Sequence, residues 1–213
     1  KNIVFLSSGA VYEKKKSLKL TEKSKINSNT FNKTYESSKI QGERLLTNYF
    51  KQTEGINLNI LRLFSFSGAG TSSLNYSAYS NFIESKFKGE DIFLKSNGLG
   101  VRSYMSSIDM ACWIIKSLSF KKLNIFNLGS DKQIKIIEIA KKIAAIKVKK
   151  YKKLKVSASS FDDFSYYVPN TGKAKKNNFC MQYNLNESIK DDLKHREISK
   201  NPHQYYFINK KSD

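Results

Sequence analysis

Tyr35 and Lys39 stand four residues apart, so on a helix both side chains leave one face. A nearby ammonium favours the phenolate form of a tyrosine. Such a tyrosine can take the proton of a substrate hydroxyl as hydride leaves the adjoining carbon, or return it in the reverse direction. A serine hydroxyl facing the same cleft can hold the reacting oxygen beside the phenol, and Ser8 is the candidate. Spacing alone is a weak signal here, because the chain has 12 Tyr and 38 basic residues. Four such pairs occur: Tyr12/Lys16, Tyr35/Lys39, Tyr151/Lys155 and Tyr206/Lys210. The first falls in a lysine-rich loop, the third in an expected strand and the fourth in the C-terminal tail. Only Tyr35/Lys39 opens a long amphipathic stretch. Taken singly, Ser7-Ser8 also reads as an ordinary turn and Tyr35/Lys39 as a surface pair.

The elements around these residues separate the alternatives. Asn2 to Leu6 is a short apolar run rich in β-formers and reads as a buried parallel strand ending at Ser-Ser-Gly. Residues 13–33 are polar and read as a loop. Asn32 or Thr34 can cap a helix that runs to about Gln52, with Ile40, Leu45, Leu46, Tyr49 and Phe50 on its apolar side. Asn57 to Phe66 is the next expected strand. A helix over 76–87, a strand at Ile92–Leu94, a helix over 108–118 with Asp109 near its start, a strand at 124–128 and a helix over 134–146 follow. The basic stretch 147–156 includes an expected edge strand. Short helices are expected over 171–176 and 187–194. Strands alternate with helices and are apolar throughout, which is the α/β pattern with a parallel sheet. In such a sheet the C-terminal ends of the strands face the ligand crevice, so Ser8 and Tyr35 would share a cleft.

Composition narrows the class. The chain has 213 residues and a net charge of +20, yet only four of its basic residues are arginines (Arg44, Arg62, Arg102 and Arg196). Readers of nucleic acid lean on arginine for bidentate base contacts, so lysine-rich drift accounts for the charge better than nucleic-acid binding does. The stretch 141–155, with eight lysines and no acid, reads first as a solvated face. The longest apolar runs are too short to span a bilayer, and no signal-peptide pattern opens the chain. Cys112 and Cys180 make neither a disulfide framework nor a metal site, and the expected compartment is the reducing cytoplasm.

The ordered blocks resemble those of the extended short-chain dehydrogenases/reductases, in the nucleotide-sugar epimerase/dehydratase group. Ser8-Gly9-Ala10-Val11-Tyr12 and Tyr35-Glu36-Ser37-Ser38-Lys39, with Glu43 after it, resemble the two catalytic blocks. Leu61-Arg62-Leu63-Phe64 with Gly68 is similar to the strand and loop between cofactor and substrate. Asn81-Phe82 is similar to the helix start that meets the nucleotide diphosphate, and Gly100 to Tyr104 with Ile108 to Ala111 to the block whose arginine grips phosphate. Phe126 to Ser130, Ile139-Ala140, and Tyr167-Val168-Pro169-Asn170 with Lys173-Ala174 continue the family order.

The resemblance implies an α/β fold: the second half of a Rossmann-like doubly wound parallel sheet, with a small C-terminal α/β substrate-binding lobe. Residues 1–75 would belong to the NAD(P)-binding domain and 76–198 mainly to the lobe, with strand 124–129 and its following helix returning to the sheet; 199–213 would form a tail. It implies Tyr35 as acid/base, Lys39 on the nicotinamide ribose, Phe64 beside the cofactor, Ser8 on the substrate oxygen, and Asn81 and Arg102 on the diphosphate. It also implies NAD or NADP as cofactor, a nucleotide-sugar substrate, no metal, and a homodimer through the helix carrying Tyr35.

Departures from the pattern matter. Glu13 stands where the family usually has glycine, Ser65 where many members have asparagine, and Ala69 in place of a common proline. Gly9-Ala10 replace the acid pair a dehydratase uses, which favours an epimerase or 4-ketoreductase. No Gly-x-Gly-x-x-Gly occurs; Gly68/Gly70 and Gly98/Gly100 are each followed by serine at the third position. The first residue is Lys1 rather than Met, so the glycine turn is expected upstream of it. Two other readings stay open: a non-catalytic remnant of the family, and a basic nucleic-acid-binding protein.

Overall fold

Asn2–Ser8 is rich in β-branched and aromatic residues and forms strand β1 in the computed structural model, which describes residues 1–13, 18–27, 35–69, 77–146 and 156–200, without the side chains of 156, 199 and 200. Helix α1 covers Tyr35–Gln52, and β2 and β3 cover Asn57–Leu63 and Phe66–Ser67. Then come α2 (Ala78–Lys88), β4 (Ile92–Leu94), β5 (Val101–Ser103), β6 (Met105–Ser106) and α3 (Ser107–Ser117). The remainder is β7 (Leu123–Leu128), β8 (Gln133–Lys135), α4 (Ile136–Ala145), β9 (Val156–Ala158), β10 (Tyr166–Tyr167), α5 (Gly172–Lys176) and α6 (Leu185–Lys200).

The main sheet has the order β1-β2-β7, all parallel. Successive side chains alternate between its faces. On one face Leu61, Phe126 and Leu128 pack against Met110 and Trp113 of α3 and against Phe179 after α5. On the other face lies α1. Its approach to β1 depends on Gly42: a Cβ there would sit 2.5 Å from Cζ of Phe5. The same level of all three strands carries a polar row, because Ser7 pairs with Arg62 and Arg62 with Asn127.

A second core joins Tyr79, Phe82 and Ile83 of α2 to Ile92 and Leu94 of β4, Ile136, Ile139, Ala140 and Ile143 of α4, and Ile189 and Leu193 of α6. Here the structure corrects an expectation. The helix after β7 does not return to the sheet. Strand β8 intervenes and pairs antiparallel with β5, and this carries α4 into the second core.

Other differences are local. The strand expected over 57–66 ends at Leu63, and Phe66–Ser67 pair instead with β6. The edge strand expected within 147–156 lies at Val156–Ala158, beside β4; 147–155 fall outside the described residues. Helix α6 is longer than the expected 187–194. Of the apolar side expected for α1, Leu45 and Tyr49 are exposed (69% and 50%), and the buried residues are Ser37, Ile40 and Glu43. The candidate caps Asn32 and Thr34 lie outside the described residues, as do the pairs Tyr151/Lys155 and Tyr206/Lys210 and the partner Lys16. No described helix is long and apolar enough to cross a membrane.

Candidate active site

The chain leaves β1 at Ser8 and turns at once. Ser8 Oγ accepts a hydrogen bond from the Ala10 backbone N–H at 3.1 Å and so caps a single 3-10 turn over Gly9–Val11. Gly9 must be small, since a Cβ there would lie 2.6 Å from Cζ of Phe64. This turn keeps Ser8 at the carboxyl end of the sheet, where ligand crevices form.

Tyr35 is the first residue of α1, and its side chain is mostly exposed. Lys39 follows one turn later. Its Nζ donates to the Leu6 carbonyl at 2.9 Å and lies 5.6 Å from the centre of the Tyr35 ring and 5.5 Å from that of Phe5. Ser8, Tyr35, Lys39 and Phe64 line one cavity of about 340 Å³, within the range of small-molecule sites. Residues expected from three separate elements therefore meet in one place.

Two expected ligand residues stand apart from this cavity. Asn81 is exposed in the first turn of α2. Arg102 on β5 donates to the carbonyls of Val101 and Ser165 and, through Nη2, to Ser165 Oγ at 2.8 Å. It is the register partner of Tyr167 on β10, which does line the cavity, so one strand spacing separates Arg102 from the site.

Tyr167 itself was legible only as part of a late block. Its ring lies 4.7 Å from that of Phe64, and its hydroxyl donates to the Leu63 carbonyl at 3.4 Å. Burial pushes its phenol up to about 12, against a hydrogen bond with Ser8 that pulls it down. Tyr167 thus stays a neutral hydroxyl beside Ser8.

A buried network beneath the cavity also escaped sequence reasoning. Tyr12, whose pairing with Lys16 was read as part of a lysine-rich loop, is buried (3% exposed). Its hydroxyl donates to Asn127 Oδ1 at 2.6 Å and accepts from Arg62 Nη1 at 2.9 Å. Burial raises its phenol to about 12 even though Arg62 works in the opposite direction. Burial alone would lower the Arg62 pKa, but the hydrogen bond to Glu43 and the charges around it drive it upward, so the guanidinium stays charged. The available signals were an arginine inside an apolar strand and a glutamate in phase with Tyr35 and Lys39. Among the described residues, no group of three or more His, Cys, Asp or Glu could hold a metal ion.

The chain is similar in sequence and fold to known proteins. The model of the NAD dependent epimerase/dehydratase family matches residues 1–129. UDP-glucuronic acid decarboxylase 6 of Arabidopsis thaliana is 25% identical over 142 residues, which is 67% of this chain and 41% of that protein. Among solved structures, UDP-N-acetylglucosamine 4-epimerase from Methanobrevibacter ruminantium in complex with UDP-N-acetylmuramic acid superposes with a TM-score of 0.75 at 19% identity, covering 94% of this chain and 64% of that one. UDP-glucuronic acid 4-epimerase from Bacillus cereus, in complex with UDP-glucuronic acid and NAD, gives 0.72 at 18% identity, covering 91% and 60%. The chain spans about two-fifths of the curated relatives' length and less than two-thirds of the length of these two structural neighbours.

Proposed function

Because the chain belongs to the NAD-dependent epimerase/dehydratase family, we propose that it carries the catalytic and substrate-binding part of a nucleotide-sugar epimerase or 4-ketoreductase that supplies sugars for surface polysaccharide. The observation that carries this reading is the meeting of Ser8, Tyr35, Lys39 and Phe64 around one cavity. The solved neighbours named above bind UDP-linked sugars, and one also binds NAD. The absence of an acid pair at Gly9-Ala10 supports an epimerase or reductase over a dehydratase.

The residues present fit the nicotinamide end of NAD or NADP. An ammonium has three donors; Leu6 O takes one on Lys39, and the cavity side can offer another to a ribose hydroxyl. Phe64 gives the cavity an apolar wall. When bound, the nicotinamide supplies the hydride acceptor and donor. Tyr35 takes the proton of the sugar hydroxyl at its phenol oxygen and returns it in the reverse direction. Lys39 steadies negative charge on that oxygen. Ser8 holds the sugar oxygen in line with Tyr35. Arg102 and Asn81 serve the diphosphate, with Tyr167 between Arg102 and the reacting oxygen. The exposed Leu45 and Tyr49 on α1 support a homodimer through that helix. A reducing compartment suits the exposed thiols of Cys112 and Cys180.

In the protein that carries this chain, Tyr35→Phe should lower turnover by about 100- to 10,000-fold while calorimetry still finds nucleotide-sugar binding. Unchanged turnover in that variant refutes the assignment. Titration of the whole protein that carries this chain with NAD and NADP separates this reading from a non-catalytic remnant: micromolar binding supports the former and no binding supports the latter.

A further inference from the structure

Tyr35, Lys39 and Glu43 are spaced i, i+4 and i+8 along one face of α1. The first two line the cavity. Glu43 lies about 12 Å along the helix axis from Tyr35, and it is buried (8% exposed). Its carboxylate is gripped by Arg62 of β2 in a fork, with Nε to Oε1 at 2.9 Å and Nη2 to Oε2 at 2.5 Å. Ser7 Oγ donates to the same Oε1 at 2.5 Å. The remaining guanidinium nitrogen, Nη1, reaches Tyr12.

These contacts bracket Ser8. Ser7 stands immediately before it and Tyr12 just after its turn, and both are held by the same ion pair. One buried carboxylate therefore references both halves of the site, the serine turn on β1 and the helix with Tyr35 and Lys39.

Apolar packing holds α1 through Ile40, which joins Val11, Tyr12, Leu20 and Phe64, and through Gly42 against Phe5. The other buried side chains of the helix, Ser37 and Glu43, are polar. Non-directional apolar contacts tolerate sliding, whereas two parallel N–H···O bonds to a carboxylate fix both a distance and a plane.

We propose that the Glu43–Arg62 fork sets the axial and rotational register of α1 against the sheet and so positions Lys39 and Tyr35 relative to Ser8. Glu43 and Arg62 are positioning residues for the site, and this role rests on the acid/base reading of Tyr35 given above. Loss of the fork lets the helix shift, and the first contact to go is the bond from Lys39 Nζ to the Leu6 carbonyl.

Trace acetylation of the intact chain, with each lysine quantified by mass spectrometry, tests this well below the melting temperature. In Glu43→Gln and Arg62→Lys, acetylation of Lys39 should rise about tenfold, the weight of one charge-assisted hydrogen bond. The exposed Lys95 and Lys121, on other elements, should stay at their original rates. Lys39 acetylation that is unchanged while the melting temperature falls overturns the proposal and leaves the pair a purely structural one. If neither variant folds, Ser7→Ala decides, because it removes only the Ser7–Glu43 bond: a selective rise at Lys39 supports the proposal and no rise overturns it. The readout does not depend on turnover. Failure of the acid/base reading would appear as retained turnover in Tyr35→Phe, with the Lys39 response intact.

Discussion

Arg62→Met removes one partner of a buried ion pair and leaves the other in place. Glu43 would keep only its hydrogen bond from Ser7, and the Tyr12 phenol only its bond to Asn127. Stranding a buried charge in this way costs about 3–5 kcal/mol. For a chain of this size each kcal/mol is worth about 2–4 °C, so the melting temperature should fall by roughly 6–20 °C. Glu43→Met alone strands the guanidinium and should cost a similar amount. The double variant Arg62→Met/Glu43→Met fills the space with apolar atoms and strands no charge, so it should cost less than either single one. Trp113 gives the assay, since it is the single tryptophan and is 3% exposed, donating Nε1 to the Cys180 carbonyl. Its fluorescence should report urea unfolding for all four proteins in the cycle. A single variant that loses less than about 1 kcal/mol, or a double variant that costs the sum of the two, refutes the account of this pair as coupled and charge-stranding.

Alkali should act through the buried phenols. Tyr12, Tyr104 and Tyr167 are pushed up to about 12, foremost by burial, and Tyr79 is pushed higher still. Phenols with raised folded values contribute stability that is fully present below the ordinary value of 10.0 and is lost as pH climbs toward 12. Their tyrosinate absorbance should appear only with cooperative unfolding above pH 10; smooth titration without loss of the Trp113 signal would count against their burial. At the exposed side of α1, Leu45→Glu with Tyr49→Glu should convert a dimer to a monomer in sedimentation equilibrium without lowering the melting temperature of the monomer. An unchanged mass in that variant removes α1 as the interface.

The strands were the most legible part of the fold. Ile92–Leu94 is a strand as expected, and β1 and β7 differ from expectation only at their ends, because short runs of β-branched and aromatic residues bounded by turn residues mark strands; β1, expected to be buried, is instead half-exposed along Asn2–Leu6 at the edge of the sheet. The placement of α4 was not legible. Its periodicity marks a buried face but does not say which core receives it, and the short β8 that redirects the chain carries no strong signal of its own. On α1 the pattern held in part. Ile40 of the expected apolar side is buried with Val11, Leu20 and Phe64, but Leu45 and Tyr49 are exposed, and a polar fork to Arg62 supplies the other contact with the sheet. That Ser8, Tyr35 and Lys39 would share a cleft was legible because a motif, a strand end and a helix start coincided, and the three line one cavity.

Arginine usage held information about the rest. The chain meets nearly all its need for positive charge with lysine, and an exposed cation can be either residue. A buried fork cannot, since an ammonium presents a point charge where a guanidinium presents two parallel donors. Arg62 is 4% exposed and grips Glu43; Arg196 is 7% exposed, pairs with Glu84 and lies 3.5 Å from Asp192. Arg102 is half-buried and holds the Ser165 segment beside Tyr167. Only Arg44 stands exposed on a helix surface. In a lysine-rich chain the scarce arginines thus mark positions where geometry, not charge alone, is required. By the same logic Arg62→Lys, conservative in charge, should weaken the seating of α1 nearly as much as loss of the cation.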